Sequence, residues 1–261
     1  MNLVDTSNHK VVSIIQARMG SSRLPGKTLA DIHGKPLLQR VIERASACHC
    51  LSEIVIATTQ NGEDDAIEEL CHQLGEPCFR GSQDDVLDRY YRCASLYAAN
   101  IVVRLTADDP LKDPDLIDRV VNLLLQDPEL DYVSNNLVAT YPEGLDVEAF
   151  TFSALERCWK QATLASEREH VTPYIWKNPS LFHLAGVEHD TDLSGLRWTV
   201  DFENDLEFAR EVYARLNHRG IFGMNDILAL LQKEPQLQCL NDSIPRRLGY
   251  NKSLEQDRIV R

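Results

Sequence analysis

Short apolar runs alternate with amphipathic segments along most of the chain. The runs at 11–17, 53–58 and 101–106 are almost continuously apolar and show no regular alternation with polar residues. Such runs are typical of strands buried on both faces, whereas the segments between them repeat apolar residues at helical spacing. We therefore predict an α/β fold in which helices cover both faces of a mostly parallel, mixed sheet.

The same pattern predicts the order of the elements. Strands are expected at 11–17, 53–58, 77–80, 101–106, 132–134, 145–150, 181–187 and 197–200. Helices are expected at 37–48, 64–74, 83–98, 114–125, 153–163, 166–174, 205–216 and 225–231. We predict one domain over 11–233, a polar N-terminal tail at 1–10 and a C-terminal tail at 234–261 that wraps the domain.

Composition narrows the possible partners and location. The 261 residues carry a net charge of −13, which argues against binding to nucleic acid or to an anionic membrane surface. No run of eighteen apolar residues occurs, and the first ten residues lack the apolar stretch of a secretory signal. An odd number of cysteines, seven, fits reduced thiols. We therefore expect a cytoplasmic protein without membrane insertion.

One loop stands out against this acidic background. Directly after the first apolar run, residues 16–27 read QARMGSSRLPGK and contain the three cations Arg18, Arg23 and Lys27. Glycines let backbone N–H groups approach an anion, and the cations neutralise its charge. The loop therefore predicts a polyphosphate site, most simply for a nucleotide.

The loop is close to a P-loop but differs from one in two respects. Five residues separate Gly20 from Gly26, where the P-loop pattern has four. A P-loop also runs straight into a helix, whereas Gly34 and Pro36 interrupt the chain soon after Lys27. A P-loop kinase or NTPase is therefore disfavoured.

Five further segments accompany this loop in order along the chain. They read RGSQDDVLDRY (80–90), RLTADDP (104–110), YPEGLDVE (141–148), EHVTPY (169–174) and RWTVD (197–201). Together with the loop they resemble the signature of sugar-activating cytidylyltransferases, most closely the spore-coat-polysaccharide type, which is related to the Kdo and acylneuraminate enzymes.

The resemblance implies a fold, a reaction and partners. The fold would be the Rossmann-like nucleotide-diphosphosugar transferase fold, forming a single nucleotidyltransferase domain. The reaction would move CMP from CTP to an acceptor oxygen, release pyrophosphate and require Mg²⁺, and the protein would be a homodimer. The acceptor would be a sugar or sugar acid for glycan or surface-polysaccharide synthesis, with a sugar phosphate or phosphonate left open.

The resemblance also assigns residues to this reaction. The expected catalytic residues are Arg18, Lys27, Asp108 and Asp201, and the two aspartates are the expected Mg²⁺ ligands. The expected nucleotide-binding residues are Gln16, Ala17, Arg18, Gly20, Ser21, Ser22, Arg23, Lys27, Arg80, Gly81, Ser82, Arg89 and Thr106. The expected acceptor-binding residues are Glu143, Asp146, Glu148 and His170.

The chemistry of the aspartates agrees with that assignment. Asp108 and Asp201 each follow a predicted strand, and an open α/β sheet binds its ligands at the carboxyl ends of its strands. Carboxylate oxygens are ligands that Mg²⁺ prefers. For Asp109 we expect a turn role before Pro110, and Ser82 is expected to cap the helix that follows it.

Three other functions remain as alternatives. A glycosyltransferase of the same general fold would consume a nucleotide sugar, but it would not need three cations for a free triphosphate. A P-loop enzyme is disfavoured by its loop. A non-catalytic nucleotide-binding regulator is disfavoured by the presence of both Asp108 and Asp201.

Overall fold

The strands form where the chain is continuously apolar. The computed structural model describes residues 9–246 and 248–261, so most of the predicted N-terminal tail lies outside the described residues. The strands are β1 (Val11–Gln16), β2 (Asp31–Ile32), β3 (Lys35–Pro36), β4 (Glu53–Thr59), β5 (Cys78–Gly81), β6 (Ile101–Thr106), β7 (Tyr132–Ser134), β8 (Glu148–Thr151) and β9 (Leu184–Gly186).

Seven of these strands build the central sheet, and β2 and β3 form a separate hairpin. The order in the sheet is β5-β4-β1-β6-β8-β7-β9. The strands β5, β4, β1 and β6 are parallel, whereas β8 runs antiparallel to both of its neighbours. This is the mostly parallel, mixed sheet that the sequence predicts.

Helices cover both faces of the sheet, which confirms the predicted fold class. They are α1 (Leu37–Ser46), α2 (Asp65–Leu74), α3 (Val86–Leu96), α4 (Pro114–Gln126), α5 (Phe152–Gln161), α6 (Ala165–His170), α7 (Pro173–Trp176), α8 (Glu203–Leu216), α9 (Met224–Lys233) and α10 (Leu248–Glu255). One core joins the sheet to α1, α2, α4, α8 and α9, and a second joins it to α3, α5 and α7. Within the described ranges, no helix has both the length and the apolarity to cross a membrane.

One face of the sheet turns polar at the carboxyl ends of its central strands. On β6 the side chain of Val102 lies in the second core, and the next positions on that face are Arg104 and Thr106. On β1 the corresponding position is Gln16, two residues after Ile14. Because β8 is antiparallel, its first residue, Glu148, pairs with Arg104. The polar edge therefore faces the helices of the second core.

Three predicted elements need correction. The expected strand at 197–200 is wrong, because this segment does not pair with a strand of the sheet. It packs between two loops and makes a single bridge, from Arg197 to Glu143. Gly144 permits that approach, since a Cβ there would lie 2.5 Å from the backbone nitrogen of Thr199. The expected helix at 166–174 is two helices, separated at Val171, whose φ is +72°. The C-terminal segment, predicted as a tail without a helix, contains α10.

Candidate functional site

A cleft of about 1160 Å³ opens at the polar edge of the sheet. The loop after β1 forms its middle, the start of α3 forms one wall, and the chain before β8 together with α6 and α10 forms the other. The lining includes every predicted catalytic and acceptor-binding residue and most of the predicted nucleotide-binding residues. The exceptions are Gly20, Arg80, Gly81 and Ser82.

A buried carboxylate anchors the start of the loop after β1. One oxygen of Asp64 accepts a hydrogen bond from the backbone N–H of Met19 at 2.7 Å, and the other accepts one from the hydroxyl of Thr59. Further along, the hydroxyl of Thr28 donates to the carbonyl of Arg18 at 2.7 Å. Sequence reasoning missed Asp64, because it is one of three consecutive acidic residues before a helix and nothing in the pattern distinguishes it.

The tip of this loop presents hydrogen-bond donors to the cleft. Within the described part of the chain, the backbone N–H groups of Gly20, Ser22 and Arg23 have no acceptor. The exposed guanidinium of Arg18 likewise has no polar partner there. Gly20 allows a close approach to the turn before α2, since a Cβ on it would lie 2.8 Å from a carboxylate oxygen of Glu63. Open N–H groups beside an unpaired cation suit an anionic ligand.

Lys27 lies between the two predicted metal ligands. Its Nζ donates to Asp108 Oδ2 at 3.0 Å, to Asp201 Oδ1 at 2.8 Å and to the carbonyl oxygen of Val200 at 2.7 Å. Arg23 also contacts Asp201 Oδ1, at 2.6 Å. The structure thus places Lys27 and Arg23 on the carboxylates, where the sequence led us to expect them on phosphates.

The charges in this cluster stabilise one another. Burial disfavours the charged form of each group, but attraction between Lys27 and the two carboxylates outweighs it. The pKa of Lys27 is therefore raised and that of Asp108 is lowered. The pKa of Asp201 falls to about 2, with help from Arg23. Lys27, Asp108 and Asp201 are therefore charged at neutral pH.

The two carboxylates fit a divalent cation. One oxygen of Asp108 and one of Asp201 already converge on a single cationic atom, Lys27 Nζ. Mg²⁺ is commonly held by one or two carboxylates, with substrate phosphates and water completing its shell. No cluster of three or more potential ligands occurs in the described ranges, so this pair would need oxygens from a ligand and from solvent.

Asp109 points to a different partner from its neighbour Asp108. Its buried carboxylate lies 2.8 Å from Nζ of the buried Lys112 and accepts a hydrogen bond from Thr106 at 2.6 Å. Burial raises the pKa of Asp109 to about 6, although Lys112 opposes that shift. Lys112 also donates to the backbone carbonyl of Asp146. Asp109 thus joins the turn after β6 to the chain before β8.

The end of β5 and the chain that follows it are arranged differently from the prediction. Arg80 donates to Asp65 at 2.6 Å and to Glu68 at 2.8 Å, and it lies outside the cleft. The hydroxyl of Ser82 accepts a hydrogen bond from the N–H of Asp85 at 3.1 Å. The cap of α3 is Asp85 itself, which corrects the expectation for Ser82.

Arg89 forms part of the cleft wall and makes no ion pair with a described residue. Its Nη1 donates to the carbonyl of Ser82 at 3.2 Å, and its buried Nε has no partner among the described residues. Burial lowers the pKa of Arg89, and the nearby charge of Arg18 acts in the same direction. Asp85, the partner that one helical turn would offer to Arg89, pairs with Arg168 instead, at 2.7 Å.

Glu148 is the centre of a network on the opposite wall. It accepts hydrogen bonds from Arg104 at 2.5 Å, from the hydroxyl of Tyr132 at 2.6 Å and from Thr172. Sequence reasoning missed these three donors. Arg104 could have been found, because it is the one charged residue in the apolar run 101–106.

The other predicted acceptor residues line the same wall. The ring of His170 lies with Nε2 2.9 Å from the hydroxyl oxygen of Ser253 on α10. Burial lowers the pKa of His170 to about 4, so the ring is neutral at pH 7. Glu143 accepts a hydrogen bond from Arg197 at 2.7 Å, and the carboxylate of Asp146 lies at the cleft surface.

Comparisons with known proteins agree with the geometry. The family model described as cytidylyltransferase matches residues 12–261. A spore coat polysaccharide biosynthesis protein of Bacillus subtilis is 30% identical over 233 residues, which are 86% of this chain and 95% of that protein. A 3-deoxy-manno-octulosonate cytidylyltransferase of Geobacter sulfurreducens is 32% identical over 202 residues, which are 67% of this chain and 79% of that enzyme.

A solved structure extends the likeness to three dimensions. A cytidylyltransferase from Leptospira borgpetersenii matches with a TM-score of 0.86 and 33% sequence identity. The match covers 92% of this chain and 100% of the other. The likeness therefore extends over most of the fold.

Proposed function

The chain belongs to the cytidylyltransferase family, and from that premise we propose that it transfers CMP from CTP to an oxygen of a sugar-acid acceptor. An acceptor hydroxyl would attack the α-phosphorus, the bond from that phosphorus to the β-phosphate oxygen would break, and pyrophosphate would leave. The hydroxyl proton would pass to solvent or to a neighbouring base. The observation that carries the proposal is the cluster of Lys27, Asp108 and Asp201 beside a loop with open N–H groups.

The loop after β1 would bind the β- and γ-phosphates. Open backbone N–H groups and Arg18 would supply donors and positive charge at its tip, and Arg23 and Lys27, which bind Asp201, would contribute once a ligand competes for them. Transfer of a nucleotidyl group depends mainly on positioning and on neutralising the charge of the leaving pyrophosphate. The anchored loop serves both purposes.

Asp108 and Asp201 would hold the metal. When bound, Mg²⁺ supplies positive charge to the phosphate oxygens of the nucleotide. The carboxylates keep their negative charge at neutral pH because Lys27 lowers their pKa values. Arg197 supports Asp201 from behind, with its Nη2 3.4 Å from Oδ2.

The nucleoside of CTP and the acceptor would bind against opposite walls of the cleft. The nucleoside of CTP would lie towards α3, where Arg89 lacks an ion pair and the buried amide oxygen of Gln16 lacks a donor among the described residues. The acceptor would lie towards β8, where Glu148 and the neutral His170 offer oxygen and nitrogen atoms to hydroxyl groups. The named relative that acts on 3-deoxy-manno-octulosonate supports a sugar acid.

The remaining site residues follow from this placement. Ala17, Ser21, Ser22 and Thr106 line the phosphate half of the cleft, and Glu143 and Asp146 line the acceptor half. Arg80 is left out of the proposed nucleotide site because its guanidinium is bound elsewhere. The homodimer that the family resemblance implies and the cytoplasmic location expected from the composition are part of the same proposal.

A screen for pyrophosphate release tests the function. Each of the four NTPs is incubated with Mg²⁺ and with 3-deoxy-manno-octulosonate, N-acetylneuraminate, a hexose 1-phosphate or a phosphonate. We expect release with CTP and a sugar acid, and none when EDTA is present or when Asp108→Asn replaces the parent. Consumption of a nucleotide sugar without pyrophosphate release would identify a glycosyltransferase and overturn the proposal.

A further inference from the structure

The C-terminal segment is built into the acceptor wall of the cleft. The N–H of Ala165 donates to the carbonyl of Arg258 at 2.8 Å, and the N–H of Val260 donates to the carbonyl of Thr163 at 2.8 Å. The hydroxyl of Ser166 donates to Asp257 at 2.7 Å. These bonds hold the segment against the start of α6, so the residues of α10 have fixed positions over the cleft.

Tyr250 is the residue of α10 whose position is hardest to explain by packing alone. Its ring packs edge-on against His170 with centroids 5.1 Å apart, and against Trp176 at 5.9 Å. Its hydroxyl is buried and has no hydrogen-bond partner among the described residues, although the ring lines the cleft. Leaving a buried hydroxyl without a partner is unfavourable, so a ligand that accepts a hydrogen bond from it would be favoured.

Arg104, which also lines the cleft, carries a second donor without a partner among the described residues. Its Nη1 is bound to Glu148 on β8, the strand that borders the acceptor half of the cleft. Its Nε is buried and has no partner in the described ranges. Glu148 already accepts from Tyr132 and Thr172, so its negative charge is well satisfied.

The two open groups share one chemistry. Both are donors, and one of them belongs to a permanent cation, so their complement is an anionic group with acceptor oxygens. The nearby titratable groups include His170, which is neutral at pH 7, Glu169, which accepts a hydrogen bond from Ser253, and Lys177, whose Nζ lies 5.8 Å from the centre of the Tyr250 ring. The positive groups of Arg104 and Lys177 favour an anionic ligand at this position.

We propose that Tyr250 and Arg104 bind the carboxylate of the acceptor, with Tyr250 supplied by the C-terminal helix. The inference rests on the proposed function, and it names the residues that select an acid over a neutral sugar. The carboxylate would accept hydrogen bonds from the Tyr250 hydroxyl and from Arg104 Nε.

Two small substitutions test this assignment. Tyr250→Phe removes an oxygen that has no partner among the described residues, and Arg104→Lys keeps the charge beside Glu148 but removes Nε. We expect each variant to raise the KM for 3-deoxy-manno-octulosonate at least tenfold and to change the KM for CTP less than twofold. Tyr174→Phe is the matched control, because its hydroxyl contacts Gln161 outside the cleft. Thermal melting checks that all three variants are folded.

Two further measurements decide what the donors bind. The loss in Tyr250→Phe should be at least fivefold smaller for the C1 amide of the same sugar than for the acid. Equal losses, or an unchanged acceptor KM, would overturn the assignment. Calorimetry of 3-deoxy-manno-octulosonate binding to the parent and to both variants tests the carboxylate site separately from catalysis. If the parent binds the acid but transfers no CMP, the proposed function alone is refuted. A parent that binds no acid refutes both.

Discussion

Replacing Lys27 by methionine should have opposite effects on nucleotide and on metal. The ammonium group contacts both carboxylates and the carbonyl of Val200, and the methionine side chain fills similar space without charge. One charge-assisted hydrogen bond is worth about 1.5–3 kcal/mol. A triphosphate that draws Lys27 away would lose a contact of this size, so the affinity for CTP in EDTA should fall about tenfold or more.

The metal should respond in the other direction. In the parent, a divalent cation must displace Lys27 from Asp108 and Asp201, whereas in Lys27→Met the pair is already open. We expect Mn²⁺ to bind the variant about tenfold or more tightly than the parent without nucleotide, on the same energy scale. Titration followed by electron paramagnetic resonance measures free Mn²⁺ directly, and calorimetry measures CTP.

A double variant controls for unrelated sites. Lys27→Met combined with Asp201→Asn should lose the extra Mn²⁺ affinity, because one of the two ligands is gone. If Mn²⁺ binds the parent and Lys27→Met equally well, Lys27 does not compete with the metal and the interpretation of the cluster is refuted.

Three other predictions follow from the site. Asp108→Asn should lower the rate of CMP transfer at least 100-fold in a folded protein. Asp109→Asn should mainly lower Tm, because Lys112 loses its buried partner. Equal losses of transfer in the two variants would contradict the different roles assigned to Asp108 and Asp109. Because the pKa of His170 is lowered to about 4 in the folded protein, its contribution to the free energy of unfolding should be fully present above pH 6.5 and should be lost as the pH falls towards 4. The loss should be smaller in His170→Gln, and an NMR pKa near 6.5 for His170 would refute this. Arg80→Ala should lower Tm and leave the KM for CTP unchanged, and a raised KM would return it to the nucleotide site.

Patterns within single segments predicted most of the fold. The apolar runs that became β1 and β6 mark buried strands by themselves, because a strand covered on both faces has little room for polar residues. The segment at 197–200 carries a similar run but meets loops on both sides, so its apolar residues are buried without a ladder. Burial and pairing are separate properties, and hydropathy reports only the first.

The limits of the site prediction have a similar cause. Lys27 and the aspartates were identifiable because their motifs are specific, but the contact between them joins residues 81 and 174 positions apart. Arg80 lies outside the cleft because its guanidinium binds partners on α2 that precede it by more than ten residues. Partner choice for a charged side chain depends on the folded neighbourhood, which a linear pattern does not contain.

The reversed direction of β8 has a consequence for how this cleft can change over evolution. Parallel strands deliver their last residues to the polar edge, so the phosphate half is fixed by the sheet itself. The antiparallel β8 delivers its first residue, so the chain at 135–147 reaches the same edge as an incoming connection. Connections tolerate insertion and replacement better than strand ends do. Replacing residues 135–147 and 249–261 with the corresponding segments of a relative should therefore change the sugar that is activated and leave the CTP half of the cleft unchanged.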